Sequence, residues 1–386
     1  MSSNGWPIVP LGELLSPVCR PVAVDPKEEY TLLGARWYAR GLYPKERKPG
    51  SEIKAAKLYR VQQGDFVYNR LFAWKGSFAV ATEYNDGCFV SNEFPCFTAN
   101  NERLDPQFLW YYFSRESAWN DALGLSHGAT PTSRNRLKEE HFLRLQIPLP
   151  PLEEQLRIVA GVDRLAAKIE EAQQLVRDCD TRSNGLLMAE FRRIADRAPR
   201  RPLGEVAPLI RRPAEIDPAM EYPQVSVRSF GRGTFHNPPL LGNEITWQKP
   251  YLVKCGDILV SNIKAWEGAI AVAGPDDDGR YGSHRYLTFV PVGGVATAHF
   301  LCFYLLSPEG LYHVGEASPG SADRNRTLSS KKMLDICVPV PAIESQRQFD
   351  RLLLKMISVR TTRAEASRAR DALIPAILER AFQGGL

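Results

Sequence analysis

Two stretches of this sequence set cations beside aromatic rings in a pattern suited to a polyanion. Between Gly34 and Lys54, the run GARWYARGLYPKERKPGSEIK carries Arg36, Arg40, Lys45, Arg47, Lys48 and Lys54, with Trp37 and Tyr43 among them and Glu46 and Glu52 opposing. Farther on, RSFGRGTFHNPPL offers Arg228, Arg232 and His236, with Lys249 beyond it. Such lysines and arginines neutralise phosphates, and an arginine grips a guanine edge through two parallel hydrogen bonds. Gly41, Pro44, Pro49 and Gly50 predict that the first run is a loop able to follow a groove. A run of charge is by itself equally a solvated face. A second pair of candidates follows two Gly-Asp dipeptides: Asn69, Arg70 and Lys75 in one place, Asn262 and Lys264 in the other, each beside an Ala-Trp-x-Gly. Asn69 and Asn262 suit either an adenine edge or a turn. Trp74 and Trp266 are expected in the core, because readers of duplexes seldom need stacking platforms.

Catalytic chemistry finds less support. The NPPL at Asn237 to Leu240 is similar to the Asn-Pro-Pro-aromatic motif with which amino-methyltransferases hold a base. Leucine replaces the stacking aromatic, however, and no Gly-rich cofactor loop follows a strand upstream, so the segment reads as a Pro-rich turn. PDDDG at Pro275 to Gly279 has carboxylates without the lysine of a nuclease site, and reads as an acidic turn. Six histidines are scattered without ligand spacing, and seven cysteines lack any CxxC pair, so no metal, cofactor or disulfide frame is expected and the thiols are expected reduced and buried.

The candidate residues recur because the chain recurs. Leu11-Gly12-Glu13 returns at Leu203-Gly204-Glu205, an offset of 192 residues. At that offset the aligned stretch that begins with these three shows 12 identities in 33 positions without a gap, the three included, too many for chance at ordinary composition. Arg36, Arg40 and Gly41 fall on Arg228, Arg232 and Gly233, and the segment Gly64 to Ala81 falls on Gly256 to Ala273. Later the offset slips by one or two: Arg134 and Arg136 answer Arg324 and Arg326, and IPLPPLEEQ answers VPVPAIESQ. These four arginines suit phosphates, acidic groups on a partner, or a structural role.

Each copy opens with short β-like runs, Gly/Pro punctuation and one helix, an α+β pattern. A long helix follows. After Pro151, apolar residues at Leu152, Leu156, Val159, Val162, Leu165, Ile169, Ala172, Val176 and Cys179 step by three and four along one stripe. Proline at the start, Glu153 and Glu154 in the first turn, and Arg192, Arg193 and Arg197 at the far end suit the helix dipole. A helix of some 45 residues would run about 65 Å and needs another long helix to cover its seam. The second copy supplies one after Pro341, with a polar middle and with Pro375 expected to kink or break it.

These features resemble the DNA-specificity (S) subunit of type I restriction-modification systems. The carrying motifs are the repeated P-x-P-x-x-E-x-Q helix starts, the GATPTSRNRL and GSADRNRTL segments before them, the two LGE openings and the two Gly-Asp strands. The resemblance spans essentially the whole chain and implies two similar α+β target-recognition domains, residues 1–150 and 198–341. Two long antiparallel helices, residues 151–197 and 342–386, would form a coiled-coil spacer related by a pseudo-two-fold axis. It implies a non-catalytic protein that reads a bipartite site in double-stranded DNA and brings two adenine-N6 methyltransferase subunits to it, joined in restriction complexes by motor-nuclease subunits. A net charge of +5 permits such a partner. With no apolar run of membrane-spanning length and no signal-like start, a cytoplasmic location is expected. A protein-interaction scaffold with no DNA role is the competing reading.

Overall fold

The computed structural model describes residues 5–126, 135–245, 249–320 and 326–382, and the chain forms two compact units, residues 1–175 with 364–386 and residues 176–363. Among the described residues no helix is long and apolar enough to cross a membrane.

Besides a two-stranded ladder of Ile8–Pro10 with Gln146–Pro148, the first unit holds two larger sheets. One orders strands Pro21–Ala23, Lys57–Arg60, Phe89–Val90, Glu29–Ala35 and Leu42–Pro49; the other orders Leu15–Val18, Cys96–Ala99, Phe66–Tyr68 and Phe78–Val80. Its core is aromatic: Phe66, Tyr68, Phe78, Phe97, Phe113 and Phe142 are all fully or almost fully buried, with ring centroids as close as 4.4 Å. Ile158 and Val162 of the long helix, and Leu378, Ala381 and Phe382 near the end of the chain, complete this core. Phe382 packs on Phe108 and Tyr112, and Arg115 stacks on Phe382 while pairing with Glu379 at 3.3 Å.

The second unit repeats the plan with fewer ladder bonds. Its sheets order Thr234–Leu241, Glu221–Val227, Tyr281–Gly282 and Tyr251–Leu252, and Ile270–Val272, Ile258–Ser261 and Tyr286–Phe289. Two strands of the first unit shrink here to single bridges, Leu209 to Phe289 and Pro213 to Tyr251.

The repeated motifs turn out to be fasteners. Arg20 grips the buried Asp65 of its Gly-Asp through two hydrogen bonds of 2.6 and 3.1 Å, and Arg212 grips Asp257 at 2.7 and 3.2 Å. Each carboxylate also accepts a backbone N–H three residues upstream, at 2.8 Å, which satisfies a charge that would otherwise be costly to bury. The glutamine of each helix start is wholly buried. Gln155 donates to the carbonyls of Arg103 and Pro150 at 2.8 and 2.9 Å and accepts the Asp105 N–H at 2.9 Å. Gln346 does the same with Val295, Pro341 and Thr297. The Pro-rich lead-in therefore ends a globular part, launches a long helix and ties that helix to the start of a short one.

The first long helix runs unbroken over Leu152–Ala195, within two residues of the expected limits. In the second unit its later part lies antiparallel to the helix starting at Ile343: Phe191 meets Phe349, while Cys179, earlier on the first, meets Arg363, later on the second. That second helix is not one rod from 342 to 386. It is interrupted at Ala372, between Ile343–Asp371 and Leu373–Phe382. Pro375 has no N–H for the Asp371 carbonyl, whereas the bonds from Ala372 and Ala376 on either side persist, so the expected interruption falls one turn upstream of the proline. The thiols also depart from expectation: Cys96 and Cys302 are buried, but Cys19, Cys255 and Cys337 are exposed.

Candidate nucleic-acid interface

The basic runs are hairpins rather than loops. Residues 29–35 and 42–49 pair antiparallel in the first unit, and residues 221–227 and 234–241 in the second. In each, the second strand is an edge strand. An edge strand tolerates proline because one row of its N–H groups faces solvent, so Pro44, Pro49, Pro238 and Pro239 sit within strands. NPPL is consequently strand, not turn. PDDDG is a turn as expected, Pro275–Asp277, but Asp277 is buried, accepting hydrogen bonds from Thr234, His236 and the Gly274 N–H at 2.9 Å each.

The hairpin tips are built alike. Tyr38 donates its N–H to the Lys75 carbonyl at 2.8 Å and Ala39 to that of Gly76 at 2.6 Å; Phe230 and Gly231 donate to Glu267 and Gly268, both at 2.8 Å. The receiving turns are the two Ala-Trp-x-Gly segments, each closed by a left-handed glycine. At Gly76 a side chain would lie 2.3 Å from the ring of Trp119, so glycine is required by space as well as by φ. The clamp explains why these segments recur together.

Arg36, Arg40, Arg228 and Arg232 are exposed at the tips. Arg36 lies over Tyr43 at 4.8 Å, Arg228 over Phe235 at 4.8 Å, and Arg232 over Phe230 at 5.5 Å. Beside the first tip, Arg36, Arg40 and Lys45 border a cleft of about 640 Å³ floored by Leu33, Phe72 and Phe94. Along the first edge strand, Lys48 and Lys45 flank Glu46, and Arg47 pairs with Glu29 at 2.6 Å. The Lys48 hydrogen bond holds the Glu46 carboxyl below the usual range. Lys249 is exposed beyond the second hairpin.

Other candidates are engaged internally. Arg70 pairs with Glu139 and the Asn92 carbonyl, which removes it from a phosphate-facing role. Burial alone would raise Glu139, but the hydrogen bond and charge of Arg70 outweigh it and leave that carboxyl below the usual range. Asn69 is buried and accepts the Leu71 N–H at 2.9 Å, the turn role rather than the base-reading one. Lys264 pairs with Glu267 at 2.6 Å, and His236 is held by Asp277. The Asn262 side-chain oxygen is buried without a hydrogen-bond partner among the described residues. Lys75 sits over Trp37 at 3.8 Å and Trp74 at 4.8 Å. Trp74 and Trp266 are only half-buried, against expectation, each indole N–H closing its own turn at the carbonyl three residues back. Arg136 pairs with Glu93 and Arg326 lies over Trp266, whereas Arg134 and Arg324 fall outside the described residues. Among the described residues no cluster of His, Cys, Asp or Glu could hold a metal.

The residues that sequence reasoning missed are Tyr38 and Phe230, exposed aromatics at the two tips. The signal was present: RWYARG and RSFGRG share the pattern Arg-x-aromatic-small-Arg-Gly at the repeat offset.

Residues 27–176 match the family model for the type I restriction modification DNA specificity domain. No curated protein matches. Among solved structures, a chain from work on complex assembly and conformational transition of the type I R-M system aligns over 100% of both chains, at 19% identity and a TM-score of 0.70. The HsdS subunit from Thermoanaerobacter tengcongensis aligns over 99% of this chain and 97% of that one, at 21% identity and a TM-score of 0.59. The type I restriction-modification S subunit from M. genitalium covers 98% and 96%, at 13% identity and a TM-score of 0.51. The resemblance read from the repeat is borne out: residues 27–176 are similar to the type I restriction modification DNA specificity domain, and the chain has, end to end, the fold of the HsdS subunits.

Proposed function

We propose that this chain is the sequence-reading, non-catalytic subunit of a type I restriction-modification complex in the cytoplasm. Residues 1–150 and 198–341 each read one half of a split duplex site. The long helices, residues 151–197 and 342–386, set the distance between the readers and carry two adenine-N6 methyltransferase subunits, with motor-nuclease subunits added in restriction complexes. The observation that carries the reading is the pair of clamped edge hairpins, alike in both units, with Arg36 and Arg40 on one tip and Arg228 and Arg232 on the other, all exposed. Rigid tips bearing exposed guanidiniums suit phosphates and guanine edges, and duplicated readers suit the approximate dyad of a duplex. Lys45, Lys48 and Lys249 add sequence-independent attraction.

Titration against duplex DNA at several salt concentrations tests this. Affinity should fall steeply and linearly on logarithmic axes as salt rises. Affinity independent of salt, or no binding, would favour the protein-interaction scaffold. With methyltransferase subunits the complex should methylate adenine within a split site, and the chain alone should transfer no methyl group.

A further inference from the structure

Tyr38 and Phe230 occupy the same repeat position and share an uncommon backbone. Their φ angles are 60° and 63°, followed by 50° at Ala39 and 62° at Gly231. A bulky aromatic residue in the left-handed region is a true outlier, and such strain persists only where the surroundings hold it. Here the two clamping hydrogen bonds of each tip hold it. Glycine would take this conformation freely, yet both copies place an aromatic ring there. The ring is not core: Tyr38 is 56% exposed and Phe230 69%. Two residues to either side of each ring stands an exposed arginine, and no acidic residue lies within either tip, 36–41 or 228–233.

We propose that Tyr38 and Phe230 are wedges that enter the DNA stack, one in each half-site, while their flanking arginines hold the phosphates on either side of the opened step. This rests on the DNA-reading role proposed above. An aromatic or apolar side chain driven between base pairs unstacks and kinks the duplex. Because the backbone clamp presents each ring in a fixed place, little ordering cost remains on binding. The cost of opening a step depends on its sequence, flexible pyrimidine–purine steps opening most readily, so each tip discriminates at a position where it makes no hydrogen bond to a base.

The test uses the full chain assembled with its methyltransferase subunits and a duplex containing the site at which that complex methylates. 2-Aminopurine is placed at successive positions through each half-site. Binding should raise its emission several-fold at one step in each half. Tyr38→Ala should abolish the rise in one half only, and Phe230→Ala in the other, each weakening binding about ten-fold without changing the salt slope. Tyr38→Gly and Phe230→Gly should raise the thermal midpoint while abolishing the same signals, whereas a merely structural ring would lower it on removal. Normal binding with flat emission through both halves would overturn the wedge and leave the reader standing. No salt-dependent binding by the unaltered complex would remove the reader and the wedge with it. Variants that keep the emission change but lose methyltransferase subunits would assign the rings to protein docking and overturn the wedge.

Discussion

Replacing Gln155 with alanine should destabilise the first unit far more than its single side chain suggests. The carboxamide is wholly buried, and all three of its bonds go to backbone groups. Its orientation follows from its neighbours, since two carbonyls can only accept and one N–H can only donate. Alanine leaves the Asp105 N–H and the carbonyls of Arg103 and Pro150 without partners. An orphaned buried donor costs about 1–3 kcal/mol and each of the two lost bonds to a carbonyl about 1 kcal/mol, for a total of about 3–5 kcal/mol. For a unit of this size that is a fall of about 6–20 °C in Tm. Calorimetry measures the fall, and hydrogen exchange at the Asp105 amide localises it. Gln155→Glu keeps the acceptor but sets a carboxylate against two carbonyls, so its folded-state pKa would lie above the unfolded value of about 4.3. Its deficit against the unaltered chain should therefore widen as pH rises above that value and narrow in acid. A loss below about 1 kcal/mol in Gln155→Ala, with the Asp105 amide still protected, would refute the idea that this glutamine ties the helix to the globular part.

Gly242→Ala should cost about 3 kcal/mol or more, because the new carbon would lie 2.0 Å from the backbone oxygen of Asp217 and one segment of backbone must move; a thermal midpoint within 2 °C of the parent's, with 2 °C taken as about the smallest shift one kcal/mol gives, would contradict this. Arg200 holds the Glu309 carboxyl below the usual range by a hydrogen bond and its charge, so the pair's contribution is present above the ordinary glutamate value and is lost as pH falls through the depressed one. Both side chains are nearly half-exposed, which limits the effect to less than about 1 kcal/mol, and Arg200→Met should remove that part of the acid-side loss in denaturant titrations. Under the proposed division of labour, four residues inserted near Ala172 lengthen the helix by about 6 Å; mapping of methylated adenines should show the half-sites unchanged and their spacing altered by about one or two base pairs, and altered half-sites would contradict the division.

The long helix was legible because a three-four apolar stripe, a proline start and a basic end all agree over Leu152–Ala195. The interruption near Pro375 was legible for the same local reason. The hairpins were not. A charged, proline-bearing edge strand such as Leu42–Pro49 need not alternate apolar with polar residues, so nothing in its pattern separates it from a loop. The candidate interface divided along a similar line. Exposure of Arg36 or Arg232 follows from a tip between strands, but the engagement of Arg70 depends on Glu139, 69 residues away, and that of His236 on Asp277, 41 residues away. Such partners are set by tertiary packing. The same holds for Asp65 and Asp257: the repeat marked the Gly-Asp pairs, but only the fold shows that Arg20 and Arg212 are the reason.

The seating of Phe382 on Phe108 and Tyr112 has a consequence for synthesis on the ribosome. The first unit is written by both ends of the chain, whereas residues 176–363 close upon themselves. The segment made first must therefore wait, its aromatic core uncapped, while the middle of the polypeptide emerges and folds. Contacts between positions so distant in sequence are slow to form, and a nascent chain stalled before Leu378 would hold a finished second unit beside an open first one, the state most exposed to chaperones and proteases.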